Sequence, residues 1–106
     1  MVPIRVILVK LRADADPRAY ETFIRQVDYP VAATRQSIPY YRIHRIRPDT
    51  WEPAPADWDY VEYIQVTDVA AYTAERAERP NTEFQRRNPE FVERTLAFWA
   101  DVVEPA

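Results

Sequence analysis

The 106-residue chain contains no glycine. Phosphate-cradling loops and dinucleotide fingerprints need glycine so that the backbone can approach a ligand closely, and a serine nucleophile elbow is flanked by it. Those architectures are closed to this sequence. Cysteine is absent too, which removes disulfides, thiol nucleophiles and zinc–thiolate sites. His44 is the single histidine, so only carboxylates remain as further metal ligands. No calcium-loop spacing occurs, and neither a metal nor another cofactor is expected.

What the chain can build is legible in its apolar pattern. Ile4 to Leu11 (IRVILVKL) is β-branched and apolar on both faces, as an inner strand would be. Asp16-Pro17 supplies a cap followed by proline at the first helical position. The helix PRAYETFIRQV then places Tyr20, Phe23, Ile24 and Val27 on one face. Pro30 and its restricted neighbour Tyr29 predict a stop near Asp28. VAATRQS reads either as a further helical turn or as a loop. Pro39 introduces a second strand, Tyr40 to Ile46, and Trp58 to Val66 (WDYVEYIQV) reads as a third. Between them, RPDTWEPAPAD is proline-rich and long enough for a lid or rim. Thr67-Asp68 caps the helix DVAAYTAERAE, and NTEFQRRN forms a shorter one bounded by Pro80 and Pro89. The tail EFVERTLAFWADVVEPA fits a helix better than a strand, with a short strand near Trp99 to Val103 as the alternative.

This β-α-β-β-α order is the split βαβ, ferredoxin-like plan, an α+β fold with an antiparallel sheet in a single domain over residues 1–106. A chain of this size buries roughly two thirds of its unfolded surface. Helices cover one sheet face only, and strands apolar on both faces predict that two sheets meet in a homodimer, a dimeric α/β barrel. The net charge of −3 lacks the basic excess of a phosphate-tracking surface, so nucleic acid is not an expected partner. No apolar run approaches the ~20 residues of a membrane span and no signal peptide opens the chain, which leads us to expect a cytoplasmic protein without a membrane partner.

The candidate site centres on YYRIHRI, residues 40 to 46. Alternation puts Tyr40, Arg42, His44 and Ile46 on one face, and Tyr41, Ile43 and Arg45 on the other. The Tyr41/Ile43 face is the natural one to press against helices, which turns His44 towards the space between paired sheets. Trp58, Tyr60, Glu62 and Ile64 share a face of the third strand. If that face matches the histidine's, Glu62 can orient the imidazole and raise its basicity. Histidine, with a reference pKa of about 6.5, needs little tuning for acid/base work near neutrality. The plainer readings are a hydrogen-bonded structural histidine, a cross-strand ion pair between Glu62 and Arg42, and packing roles for Trp51, Trp58, Tyr60 and Tyr63.

QVDYP (Gln26 to Pro30), RIHRI (Arg42 to Ile46), DYVEYIQV (Asp59 to Val66) and the opening VILVKLRADADPRAYETF together resemble the RedY-like family, which includes the HapK-type proteins. The resemblance covers about the first two thirds of the chain and continues through the second helix. It implies a ferredoxin-like homodimer with a ligand cavity in each half. It further implies a cofactor-free cyclase step, a ring closure in alkaloid biosynthesis on an indole- or pyrrole-type intermediate, with histidine as the acid/base. Carried onto this sequence, the roles fall on His44 as proton shuttle and on Glu62 or Asp28 as its orienting acid. Tyr29 and Arg42 would donate to a developing oxyanion, while Tyr40, Trp51, Trp58 and Tyr60 would wall the substrate. The tail departs from the closing strand the family implies. Two other functions fit the same plan: a non-catalytic binder of such an intermediate, and a cofactor-free aromatic monooxygenase.

Overall fold

The computed structural model describes residues 2–50, 52 and 57–106. Four strands, β1 (Ile4–Leu11), β2 (Tyr40–Arg45), β3 (Tyr60–Gln65) and β4 (Val92–Ala100), form one sheet in the order β2-β3-β1-β4. Every neighbouring pair is antiparallel. Helices α1 (Pro17–Phe23), α2 (Tyr29–Ala32), α3 (Val69–Glu78) and α4 (Thr82–Arg87) complete the ferredoxin-like arrangement expected from the element order.

Without glycine, the helices start and stop by side chains and proline. Asp16 accepts from the Arg18 amide at the head of α1, Asp68 from Ala71 at α3, and Asn81 from Phe84 at α4. After α3, Arg79 leaves helical geometry at φ −132°, ψ 62°, as a residue before Pro80 is pushed to do.

The expected stop at Asp28 is not a stop. The chain widens into a π-helical segment, Ile24–Asp28, in which the Tyr29 amide donates to the Ile24 carbonyl, and then resumes as α2. Pro30 has no amide to donate, and its ring would strike the carbonyl four residues back in a regular α-helix; a wider turn relieves both problems. The Val27 carbonyl accepts from the Asn81 side chain at 2.9 Å, so the cap of α4 also secures this segment.

A second correction concerns the tail, which forms the nine-residue edge strand β4 and not a helix. Leu96, Ala97, Phe98 and Trp99 are apolar on both faces, as β1 is, so the period of two that marks a strand is hidden there. Pairing of β4 along all of β1 decides the outcome, with a bulge between Lys10 and Leu11.

Register assigns every side chain to a face, because directly opposed residues share one. The helix-side rows run Tyr41–Ile64–Arg5–Trp99, Ile43–Glu62–Ile7–Ala97 and Arg45–Tyr60–Val9–Thr95. The open-side rows run Arg42–Tyr63–Val6–Phe98 and His44–Val61–Leu8–Leu96. Under the helices lie two buried clusters. One joins Val9, Tyr20, Phe23, Ile24, Val27 and Tyr60; the other joins Tyr41, Ile64, Val66 and Tyr72. Ile7, Tyr29 and Ile43 touch both. Tyr20 and Phe23 are 1% and 2% exposed, and burial of each ring stabilises the fold by about 1.5–3 kcal/mol.

Candidate active site

A cavity of about 360 Å³ opens between the helical layer and the sheet, in the size range of small-molecule sites. Asp28 reaches it from the π-helical segment, Tyr41 from β2 and Glu62 from β3. The Tyr41 hydroxyl lies 2.6 Å from Glu62 Oε1 and is also hydrogen-bonded to Asp28 Oδ2. Glu62 is 8% exposed, and a carboxylate buried that deeply requires partners.

One phenol holds one proton, so Tyr41 can donate to only one of its two carboxyl neighbours. The other closes a hydrogen bond by being protonated and donating to the phenol oxygen. Occupied this way, three acids share two protons and carry one negative charge. Burial raises Glu62 to about 7, with the nearby Asp28 charge adding and the Tyr41 hydrogen bond, Arg5 and Arg76 opposing. Burial likewise lifts Asp28 to about 6 against the pull of the Tyr41 hydrogen bond. Tyr41 itself, buried between two carboxyl groups, is pushed well above the ordinary phenol value. Such a group can take a proton from one atom of a guest and return one to another near neutral pH.

This arrangement corrects the expected constellation. His44 stands opposite Val61, whereas Glu62 stands opposite Ile43, so the sheet separates the imidazole from the carboxylate meant to orient it. Asp28 contacts Tyr41 on the same helix side and is no better placed to serve His44. His44, Arg42 and Tyr40 are exposed on the open-face register, where Tyr40 packs edge-on against Tyr63 at 5.8 Å. Arg42 belongs to an edge strand; it donates to the Tyr41 carbonyl at 2.6 Å and stacks 5.3 Å over Tyr40. The Tyr29 hydroxyl is taken by β2, accepting from the Ile43 amide at 2.9 Å. Tyr60 lies in the core beneath α1, its hydroxyl donating to Glu21 at 2.7 Å. Trp58 lies under the Arg94 guanidinium at 4.4 Å, away from the cavity. Trp51 falls outside the described residues, as do residues 53–56 of the proline-rich segment expected to form a rim.

Sequence reasoning selected Asp28 and Glu62 but missed Tyr41, which it had assigned to the helix-facing side for packing. Arg5 was missed as well. Its signal is a charge on the core face of a strand whose other core-facing residues are Ile7, Val9 and Leu11. Among the described residues, no three His, Asp or Glu side chains are grouped to hold a metal ion, and no helix is long and apolar enough to cross a membrane.

The model of the family described as REDY-like protein HapK matches residues 3–103, well beyond the two thirds that motif resemblance covered. No curated protein matches the sequence. Among solved structures, HapK from Hahella chejuensis is similar at 24% identity and TM-score 0.68, with 97% of each chain covered. At3g17210 from Arabidopsis thaliana is similar at 12% identity and TM-score 0.78, with 98% of each chain covered. A dimeric protein of unknown function and ferredoxin-like fold from Bacteroides fragilis is similar at 11% identity and TM-score 0.68, over 94% of this chain and 95% of that one. At these identities the structural likenesses establish the fold.

Proposed function

This chain belongs to the HapK family of REDY-like proteins, and from that premise we propose that its helix-side cavity is the active site of a cofactor-free, acid/base ring-closing enzyme. The observation that carries the reading is the Tyr41 hydroxyl set between the Glu62 and Asp28 carboxyl groups in a cavity of substrate size. The substrate class, an aromatic nitrogen-containing intermediate, comes from the family resemblance.

In the proposed step, the ionised member of the carboxyl pair removes a proton from a hydroxyl, amide or ring N–H of the guest. The atom so activated attacks a carbonyl carbon of the same molecule and closes the ring. The protonated member delivers its proton to the carbonyl oxygen, and Tyr41 passes a proton between the two carboxyl groups to restore the starting state. Protons balance within the triad, and no oxidant enters.

We further propose that the open sheet face mates with a second copy. Leu96 and Phe98 are 51% and 42% exposed there, beside Val6, Leu8 and Val61. A dimeric neighbour of the same fold supports that reading. His44 then belongs to the subunit interface, and its expected role as proton shuttle passes to the carboxyl pair.

The test compares Glu62→Gln with His44→Ala. Glu62→Gln is expected to lower turnover by ~10²-fold or more, and His44→Ala by less than about threefold. The reverse ranking would return the chemistry to the histidine. Undiminished product formation in both variants would leave a binder, and oxygen uptake matched to substrate loss would indicate a monooxygenase.

A further inference from the structure

Four arginines line the cavity, Arg5, Arg35, Arg76 and Arg79, and they are not alike. Arg35 donates to the Glu75 and Arg79 carbonyls, and Arg79 pairs with Glu75 at 3.7 Å. Those two hold α3 to the loop before β2. Arg5 and Arg76 enter no ion pair among the described residues, and the Arg5 Nε is buried without a hydrogen-bond partner.

Their guanidinium faces are nevertheless held. Arg5 stacks over Trp99 at 5.2 Å and Arg76 over Tyr72 at 5.2 Å, and the two rings meet edge-on at 5.6 Å with planes 88° apart. Stacking occupies the face of a guanidinium and leaves the in-plane N–H groups available, the geometry that grips a carboxylate. A guanidinium withdrawn from water with an unmade hydrogen bond is costly unless a partner arrives. The acids of the cavity feel these charges, which lower the titration of Glu62, but none lies within ion-pair distance of either guanidinium among the described residues.

We propose that the substrate of this cavity carries a carboxylate, received by Arg5 and Arg76 at the Trp99–Tyr72 corner, with its reacting end at Asp28, Tyr41 and Glu62. The proposal rests on the reading of the cavity as a small-molecule site and adds the charge and orientation of the guest. Arg5 and Tyr41 lie in one row with β3 between them, two strand spacings or about 10 Å apart. A flat aromatic acid of one or two fused rings spans that gap. Ile7 and Ile64 floor its path, and Phe84 stands on the helical side.

Paired probes test this without knowledge of the natural substrate: 2-naphthoate against 2-naphthamide, by calorimetry at pH 8, with the wild type, Arg76→Gln and Arg5→Gln. Naphthoate is expected to bind at least about tenfold tighter than the amide, as a charge-assisted hydrogen bond would give. Arg76→Gln should abolish most of that preference and leave amide affinity unchanged. Arg76 is exposed on α3, so this variant keeps the fold even if Arg5→Gln does not. Equal binding of acid and amide by the wild type, or a preference that survives Arg76→Gln, would overturn the carboxylate proposal and leave the cavity reading intact. Binding of neither probe would remove both.

Discussion

The two faces of one sheet hold different kinds of polar chemistry. On the helix-covered face, Glu62 and Tyr41 are each 8% exposed and bonded to one another. On the open face, His44, Arg42 and Tyr40 are exposed, and the row of His44 continues through Val61, Leu8 and Leu96. Adjacent residues such as Ile43 and His44 fall in rows on opposite faces, opposite Glu62 and Val61 respectively. The covered face takes carboxyl groups out of water and moves their titration towards neutrality. The open face leaves its polar groups to solvent and carries an apolar field, the surface proposed to meet a second copy. In the proposed function, catalytic potential follows from desolvation rather than from a residue type with a convenient reference pKa.

The largest effect is expected from charge placed in the open face. Phe98→Asp puts a carboxylate among Val6, Tyr63 and Leu96, where a mated sheet would bury it. Dissociation of the dimer should become at least ~10²-fold easier by sedimentation, with the monomer still folded. A wild type already monomeric at micromolar concentration would erase the distinction between the two faces as interface and site.

The pH dependence of stability sharpens the other side of the comparison. Glu62 titrates at about 7 in the fold against 4.5 for its reference, and Asp28 at about 6 against 3.8. Between each pair of values the folded chain holds more protons than the unfolded chain, so stability falls as pH rises through them. From these groups the fold is most stable below about pH 4 and loses ground up to about pH 7. Glu62→Gln copies the protonated form and removes its share of the slope. Relative to wild type, the variant should gain of the order of 1–3 kcal/mol between pH 5 and pH 8 in urea unfolding. Parallel curves for the two proteins would mean that Glu62 is hydrated.

A smaller loss is expected for Tyr41→Phe, about 1–2 kcal/mol at pH 8 and less at pH 5. The hydroxyl favours the ionised form of both carboxyl groups, so its removal raises both titrations further. Carbon-detected NMR of the two carboxyl carbons would follow the shifts; unchanged titration of either would break the triad.

Much of this plan could be read from residues alone, and the failures have particular causes. β1 was bounded correctly because β-branched runs between polar flanks have few alternatives. The split βαβ order and the helix-facing side of β2 followed from alternation. β4 escaped because its apolar residues serve both faces. The link from Glu62 to His44 failed because alternation fixes which residues of one strand share a face but says nothing of register between strands; a one-residue difference in pairing reverses the answer. Tyr41 was overlooked for a different reason. A tyrosine on a core face reads as packing, and only the approach of Asp28 from a π-helical turn gives its hydroxyl a second partner.

The smallest effect concerns the residue at the boundary of the two faces. The Tyr29 ring packs edge-on against Tyr41 at 5.6 Å, yet its hydroxyl serves the free edge of β2, accepting from the Ile43 amide and donating back to the Ile43 carbonyl at 3.5 Å. Tyr29→Phe keeps the ring and deletes both bonds. Water reaches an edge strand, so the cost is about 1 kcal/mol or less, and the Ile43 amide should exchange with solvent several-fold faster while its neighbours across β3 do not change. Turnover should stay within about threefold of wild type, because the hydroxyl is turned to the backbone and away from Glu62. A loss comparable to that of Glu62→Gln, with Ile43 exchange unaltered, would instead give Tyr29 the oxyanion-donating role that its place in the QVDYP motif suggests.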